Sequence, residues 1–399
     1  MVLTLTALIV GALVAGCGGS TDDDDGSGGE SLADGETFTI GWASDKTGPY
    51  AFVDSSMAKG VDLAVDEINA EGGIDGKWPI EVDRRDCKGE PALCATTTRE
   101  LLDEDVQFLF GPSESDTTVP SAQLAAKAGI PIIPALAGTA TFPSKVPDDY
   151  GFLFNPGTLS EGAALAEYAD AQGYETAWVV SSPDLDFTQS IADTFKLRFE
   201  ELGGEIVGES QFAIGDRSFR AAATEIANAN PAPDVIMPTT FVPDTATFLR
   251  DLDRVDNQIP ILINDGNDSS TLFDAGPQLE RTTMLTLGGE TAGGKGWDDY
   301  LAAYNEKYGE DPEALEYEAS GYDAILAIAA AVEAAGSTEG SAIRDALIEL
   351  DGVPGEALGP TRFEENILVK PWAPIKFDVE NQTFIDDEPG ITPESIPVP

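Results

Sequence analysis

A row of hydroxyl and acidic side chains follows an apolar run near the end of the first quarter of the chain. The run at residues 108–110 (FLF) stops at residues 111–112 (GP), and residues 113–118 (SESDTT) come directly before a helical pattern. Ligands of open parallel sheets bind outside the carboxyl ends of the strands, where free N–H groups of the next helix favour an anion. A hydroxyl at Ser115 can donate to one oxygen of a carboxylate there. Simple capping, in which Ser113, Ser115 or Asp116 satisfies N–H groups of the helix, is the alternative interpretation.

Histidine is absent from the chain, and this excludes many chemistries. Without an imidazole there is no Ser-His-Asp or Cys-His arrangement, no His-ligated zinc and no ordinary base with a pKa near neutrality. No dinucleotide-binding glycine motif follows the first predicted strand. We therefore expect no enzyme activity, no cofactor and no metal site.

The charge balance is strongly acidic. There are 72 Asp and Glu residues against 22 Lys and Arg residues, a net charge of −50. This argues against binding to nucleic acid or to anionic lipid headgroups and favours a solvated acidic surface. A calcium-binding role for part of this charge stays open, although no stretch spells an EF-hand loop.

The N-terminus has the pattern of a targeting segment. Residues 1–16 are apolar and uncharged, too short to span a bilayer comfortably, and end in small residues before Cys17. The run LVAGC resembles a bacterial lipoprotein signal, which implies that Cys17 is acylated and that the protein is exported and lipid-anchored to the cell membrane. No Lys or Arg precedes the apolar run, which departs from that pattern, and an ordinary cleaved signal is the alternative. Residues 17–36, rich in Gly, Ser and Asp, are expected to form a flexible tether.

Two further cysteines, Cys87 and Cys94, remain in the stretch CKGEPALC. An exported protein with one leftover pair suggests a disulfide that closes a short loop. Two free buried thiols are the alternative, and a Cys-only metal site would need more ligands.

Strand and helix patterns alternate through the chain, which indicates βαβ units and parallel sheets. A first series runs from the alternating strand at 37–44 through helical patterns near 95–105 and 118–128 to an apolar strand at 130–136. A second series runs from 160 to 265. Two such series predict an α/β protein of two doubly wound parallel-sheet lobes, which the length of 399 residues accommodates.

The order of these segments resembles the periplasmic binding proteins of the branched-chain amino acid (leucine/isoleucine/valine) type. The stretches that carry the resemblance are TIGWASDKTGPYAF, GVDLAVDEINAEGGIDGK, CKGEPALC, FLFGPSESDTTVPSAQLAAKAGIPII, YDAILAIAAAVEAAGS and ALGPTRFEEN. The resemblance covers residues 37–386 and implies a type I fold, in which three crossovers join the two lobes. It divides the chain into a signal peptide (1–16), a tether (17–36), lobe 1 (37–155 plus 289–361), lobe 2 (156–288 plus 362–390) and a tail (391–399).

The resemblance also implies a set of ligand-binding residues. Its carboxylate-binding serine corresponds to Ser115, and its second hydroxyl site to Ala137 and Thr139, or to Leu136 and Gly138 if the match slips by one residue. The acid that takes the ligand's ammonium corresponds to Asp265. The aromatic residues around the ligand correspond to Phe187, Phe241, Tyr50 and Tyr317.

This set is physically reasonable, because a zwitterion that leaves water needs hydrogen-bond donors for its carboxylate and an acid for its ammonium. Each residue also has an ordinary structural interpretation: Asp265 as a turn residue, Phe187 and Phe241 as core residues, and Tyr50 as a surface turn. Glu114 and Asp116 depart from the expected chemistry, since they place negative charge beside the carboxylate site. They either point outward or indicate a ligand with extra positive charge.

The resulting expectation is a solute-binding lipoprotein that closes on an amino acid, an amide or a urea-like compound and delivers it to an ABC permease. Basic amino acids and small aromatic acids fit nearly as well. A ligand-sensing receptor of the same fold is the second hypothesis, and a secreted enzyme is the third.

Overall fold

The structure is a computed structural model that describes residues 31–48, 51–134, 136–139, 142–386 and 388–399. The side chains of Ser115, Asp116 and Ala292 are not described. The predicted lipidation site Cys17 and the predicted wall residue Tyr50 lie outside the described residues.

The strands and helices alternate along most of the described chain. The strands are β1 Phe38–Ser44, β2 Ile80–Asp86, β3 Phe108–Phe110, β4 Ile132–Ile133, β5 Thr176–Ser181, β6 Glu205–Gln211, β7 Val235–Pro238, β8 Ile261–Ile263, β9 Thr282–Thr286, β10 Phe363–Glu364, β11 Ile367–Leu368, β12 Ala373–Asp378 and β13 Thr383–Ile385. The helices are α1 Ala51–Ala70, α2 Pro91–Leu102, α3 Ser115–Ala128, α4 Thr158–Ala171, α5 Asp186–Glu201, α6 Arg220–Ala227, α7 Asp244–Asp253, α8 Glu290–Gly293, α9 Lys295–Tyr308, α10 Tyr317–Ala335 and α11 Gly340–Ile348. Short 3-10 turns lie at Pro143–Lys145, Pro147–Asp149, Asp265–Asn267, Ser270–Ala275 and Pro277–Arg281.

The first sheet has four parallel strands in the order β2-β1-β3-β4. Strand β1 lies inside this sheet and is buried along nearly its whole length, as expected for a parallel strand with both faces covered. Because β1 is followed in space by β3, although β2 comes next in the chain, the strand order reverses beside β1. The cleft described below opens at the carboxyl ends of these strands.

The second sheet has seven strands in the order β13-β12-β9-β8-β7-β5-β6. Strands β6, β5, β7, β8 and β9 are parallel. The last two strands, β12 and β13, add to one edge in antiparallel register. The prediction of an α/β fold with parallel sheets is confirmed, with the addition that the C-terminal strands make the second sheet mixed.

Several elements differ in extent from the sequence prediction. Helix α2 begins at Pro91 rather than near 95, because proline at the first helical position lacks only an N–H that would be unpaired there. Helix α3 begins at Ser115 rather than at 118. The predicted strand at 130–136 forms a ladder only at Ile132–Ile133, since prolines at 131 and 134 flank it.

Helices α1 and α10 cross at glycines. A methyl group on Gly60 would lie 1.7 Å from the Glu318 carbonyl oxygen, and one on Gly321 would lie 2.5 Å from the Met57 carbonyl oxygen. The two backbones are therefore in contact, with no room for a side chain between them. This crossing fixes the N-terminal end of α10 against the part of α1 between Met57 and Gly60.

In the described part of the chain, none of the helices combines the length and the apolar character needed to cross a bilayer.

Candidate functional site

A cavity of ≈ 90 Å³ lies where the carboxyl ends of strands from both sheets meet. The segments after β3 and β4 contribute one wall, and the segments after β5, β7 and β8 contribute the other. The N-terminal ends of α1 and α10 complete it. The lining residues are Phe52, Val53, Ser113, Glu114, Leu136, Gly138, Leu185, Phe187, Phe241, Asp265, Gly266 and Tyr317.

Two aromatic pairs form much of the wall. Phe187 and Phe241 meet edge to face with ring centroids 6.5 Å apart, and Phe52 and Tyr317 lie 6.3 Å apart. Gly266 makes room for the first pair, because a methyl group there would lie 2.9 Å from the Phe241 Cβ and 3.3 Å from the Phe187 Cε1. These rings can desolvate an apolar ligand and can attract a cation through their faces.

The hydroxyl of Ser113 and the carboxylate of Glu114 lie at the start of α3, where the sequence predicted an anion site. Glu114 Oε2 accepts a hydrogen bond from the Thr117 backbone N–H at 3.0 Å, so the chain's own carboxylate caps this helix. Ser113 Oγ donates to Asp54 Oδ1 at 2.6 Å. A cap is thus present at this helix end, but Glu114 supplies it, which the sequence interpretation did not name.

Asp265 lies on the opposite wall, at the first position of the 3-10 turn that follows β8. Its side chain is mostly buried, and its Oδ2 accepts a hydrogen bond from Asn155 Nδ2 at 3.2 Å. The Tyr317 hydroxyl donates to the Asp265 carbonyl oxygen at 2.9 Å, which joins α10 to this wall. Burial raises the pKa of Asp265 to about 7, against the opposing effect of the Asn155 hydrogen bond.

Three more buried acids, Glu161, Asp268 and Glu316, surround Asp265. Glu161 Oε1 accepts from the Asp265 backbone N–H at 2.7 Å, and the Thr286 hydroxyl lies within hydrogen-bond distance of both Asp268 and Glu316. Burial raises the pKa of Asp268 to about 6 and the pKa values of Glu161 and Glu316 well above their usual range.

Within the described residues, none of these four carboxyl groups forms a salt bridge. The site thus concentrates acidic groups without a basic partner from the chain. Buried carboxyl groups of this kind keep protons unless a cation approaches them.

The structure brings together four of the eight residues predicted for the ligand site. Asp265, Phe187, Phe241 and Tyr317 all line the cavity. Their part in ligand binding stays a prediction. Ser115 is the first residue of α3, next to the lining residue Glu114, but its side chain is outside the described part of the structure.

In the segment of the predicted second hydroxyl site, the residues of the alternative register line the cavity, and the ligand-binding role of either pair stays a prediction. Ala137 and Thr139 are buried, and Leu136 and Gly138 are the lining residues of this segment. Gly138 lies so close to the opposite wall that a methyl group on it would be 3.4 Å from the Phe187 Cδ2. The cavity consequently has a leucine and a glycine where the family resemblance implied a hydroxyl.

Sequence reasoning missed Phe52, Leu185 and Asn155 as parts of this site. Phe52 follows Tyr50 by two residues, and a helix that begins at Ala51 turns it into the cavity. Asn155 lies in the stretch FLFNPG, where the sequence pattern shows only the point at which the second series of strands and helices begins. Its role depends on three-dimensional proximity to Asp265 and Glu316.

Cys87 and Cys94 form a disulfide with Cα atoms 4.7 Å apart. Together with Asp45 they are the single cluster, among the described residues, with the spacing of metal ligands. The disulfide occupies both sulfur atoms, so this cluster is a cross-link and not a metal centre.

The sequence profile of the periplasmic binding protein family matches residues 37–375, and the chain belongs to this family. The Leu/Ile/Val-binding protein BraC3 of Rhizobium johnstonii is 24% identical over 331 residues, which are 82% of this chain and 88% of that protein. The Leu/Ile/Val-binding protein homolog 1 of Brucella suis is 25% identical over 322 residues, which are 80% of this chain and 84% of that protein.

Solved structures show the same fold. The branched-chain amino acid transporter substrate-binding protein LivJ of Streptococcus pneumoniae, in complex with isoleucine, superposes with a TM-score of 0.80 at 26% identity, covering 90% of this chain and 100% of that one. A solute-binding protein of an ABC transporter from R. palustris, in complex with benzoate, superposes with a TM-score of 0.78 at 19% identity. The match covers 90% of this chain and 99% of that one. The predicted resemblance and the type I fold are confirmed. Because its relatives are solute-binding proteins, this chain is a binding protein and not an enzyme, and its family places it outside the cytoplasm.

Proposed function

We propose that this protein is the extracytoplasmic substrate-binding component of an ABC importer, which captures an amino acid or a related small polar compound and delivers it to a membrane permease. The observation that carries the proposal is the cavity itself, whose walls come from the strand ends of two separate sheets. A solute in this place touches both walls at once.

Binding in such a cleft couples to closure of the lobes. Ligand contacts to both walls exist only in the closed form, so the ligand shifts the population toward it by its differential affinity. We place lobe 1 at 37–155 plus 289–361 and lobe 2 at 156–288 plus 362–390, with hinge bending at the crossovers. The permease then recognises the closed form.

Within the cleft, Asp265 is the group that we assign to the positive charge of the solute, and Phe187, Phe241 and Tyr317 are assigned to its apolar part. Ser115, at the N-terminus of α3, and the segment that contains Ala137 and Thr139 contribute the remaining contacts. Tyr50 is assigned to the aromatic wall around the solute. Acylation of Cys17 would anchor the protein to the membrane near its permease, and mass spectrometry of the mature N-terminus tests this.

A thermal-shift screen over amino acids, amides, ureas, amines and aromatic acids tests the binding function. A ligand that binds only the folded state raises the melting temperature by an amount that grows with its concentration over Kd. The proposal predicts a saturable shift with at least one compound of these classes, confirmed by calorimetric titration. Absence of any shift across the screen would contradict it.

Uptake of the labelled ligand by cells with and without this gene separates import from sensing. Import predicts that uptake is lost with the gene. Intact uptake with a lost transcriptional or chemotactic response would assign the protein to a receptor instead.

A further inference from the structure

The described side chains that line the cavity lack a free hydrogen-bond donor. The Ser113 hydroxyl donates to Asp54, and the Tyr317 hydroxyl donates to the Asp265 carbonyl oxygen. The other polar side chains of the described lining are the carboxylates of Glu114 and Asp265, and no lysine or arginine is among these residues. Among the described lining residues, the polar side chains therefore offer acceptors to a ligand.

The N-terminus of α3 is already supplied with an anion. The Glu114 carboxylate accepts from the Thr117 N–H at 3.0 Å, and the Glu114 carbonyl oxygen accepts from the Thr118 N–H at 3.2 Å. A ligand carboxylate placed at this helix end would lie beside the Glu114 carboxylate. Two negative charges side by side in a partly desolvated cleft repel each other strongly.

The opposite wall favours positive charge. Asp265 lines the cavity with Glu161, Asp268 and Glu316 buried behind it, and the described residues supply no salt bridge to any of the four. The rings of Phe52, Phe187, Phe241 and Tyr317 surround the same space, and aromatic faces stabilise a desolvated ammonium group.

Building on the solute-binding function proposed above, we infer that the cleft selects an organic amine with an apolar body and discriminates against the carboxylate of a free amino acid. The ammonium group of the solute lies between Asp265 and the aromatic rings, and its apolar body contacts Leu136, Leu185 and the remaining rings. Glu114 adds a second favourable charge for a cation and an unfavourable one for a carboxylate.

Calorimetric titration at pH 8 with two matched sets of compounds tests this inference. The sets are isoamylamine, leucine and 4-methylpentanoate, and phenethylamine, phenylalanine and 3-phenylpropionate. We expect the amine of at least one set to bind about tenfold or more tightly than its amino acid, and the carboxylates not to bind. Equal or tighter binding of leucine or phenylalanine would overturn the inference.

Two variants attribute the selectivity to the proposed groups. Asp265→Asn should weaken amine binding by more than about tenfold. Glu114→Gln, which can still cap α3, should reduce the ratio of the affinity for the amine to the affinity for the amino acid. Glu200→Gln, an exposed acid of α5, is the matched control and should change neither value. An unchanged ratio in Glu114→Gln, with the melting temperature intact, would also overturn the inference.

The outcomes separate this inference from the function on which it rests. A ligand from the thermal-shift screen that carries a carboxylate and binds better than its amine leaves the solute-binding function standing and refutes the amine selectivity. A best ligand that is an amine without a carboxylate supports both. Failure of every compound in the screen and in both sets contradicts both.

Discussion

Asn155 shows how much of the site depends on a single neutral side chain. Its Nδ2 group lies 3.2 Å from Asp265 Oδ2 and 3.4 Å from Glu316 Oε1, and its Oδ1 accepts from the Gly157 N–H at 2.7 Å. An amide can donate to both carboxyl groups without adding charge to a buried acidic cluster. A sequence gives no sign of this role, because the partners lie 110 and 161 residues away.

Replacement of Asn155 by alanine should lower the free energy of unfolding by about 1–3 kcal/mol, because two buried carboxyl groups and one backbone N–H lose their partner. Urea denaturation measures the change. Asn228→Ala, which removes an exposed hydrogen bond to the Thr224 carbonyl oxygen, is the control and should cost much less. An equal decrease in the free energy of unfolding of the two variants would show that the buried hydrogen-bond network contributes nothing to stability.

At the scale of elements, the sequence predicted where the site lies better than it predicted which side chains enter it. Alternation of apolar strands and helical patterns is a strong signal, and it located the regions of β3, β4 and β8 but not their exact ends. The exact residue that faces a cavity depends on how far each strand continues. The strand at Ile132–Ile133 ends early between prolines, and in the segment after it Leu136 and Gly138 line the cavity while Ala137 and Thr139 are buried.

The crossing of α1 and α10 positions Tyr317 and Phe52, and Gly60 is its closest point. Gly60→Ala would put a methyl group 1.7 Å from the Glu318 carbonyl oxygen, so the helices must separate. We expect a loss of about 1–3 kcal/mol in stability, although alanine is the better helix former. Thermal melts measure it, with Ser55→Ala, an exposed position of α1, as the control. A more stable Gly60→Ala protein would contradict the tight crossing.

The cross-link between Cys87 and Cys94 joins the end of β2 to the start of α2. Closing so short a loop restricts the unfolded chain and contributes about 2–3 kcal/mol in the chain-entropy description. We therefore expect the variant with both cysteines replaced by alanine to melt at a lower temperature than the oxidised protein. Non-reducing peptide mapping checks the bond itself, and a digest that yields both cysteines as free thiols would refute it.

At the scale of the whole molecule, the acidic composition and the buried acids act on stability in the same direction. The net charge is −50, and long-range repulsion among surface carboxylates opposes compactness. Burial adds a second effect, since it raises the pKa of Asp265 and Glu318 to about 7 and of Asp45, Asp268 and Asp323 to about 6.

The sign of the pH dependence follows from these raised values. Between about pH 4 and pH 7 the folded protein binds more protons than the unfolded chain, so its stability falls as the pH rises and the loss is complete above the folded pKa values. We expect the melting temperature of the ligand-free protein to fall from pH 5 to pH 8. In 1 M salt, which screens the surface charges, the melting temperature should still fall between pH 5 and pH 8, but by less.

The variant Asp265→Asn should melt with a shallower pH dependence than the wild type, because it removes one of these titrating groups. A melting temperature that rises with pH in high salt would contradict the assignment of buried, protonated acids to the folded state.

The central claim is that one solute is held by both walls of the cleft, and a calorimetric comparison of Phe52→Ala and Phe241→Ala tests it most directly. The two rings belong to α1, which follows a strand of the first sheet, and to the segment after β7, a strand of the second sheet. With the ligand identified by the thermal-shift screen, each variant should lose about tenfold or more in affinity. Leu197→Ala, at an exposed position, is the control. If one variant no longer bound the ligand while the other kept wild-type affinity, the solute would bind to a single wall, and the account would be contradicted.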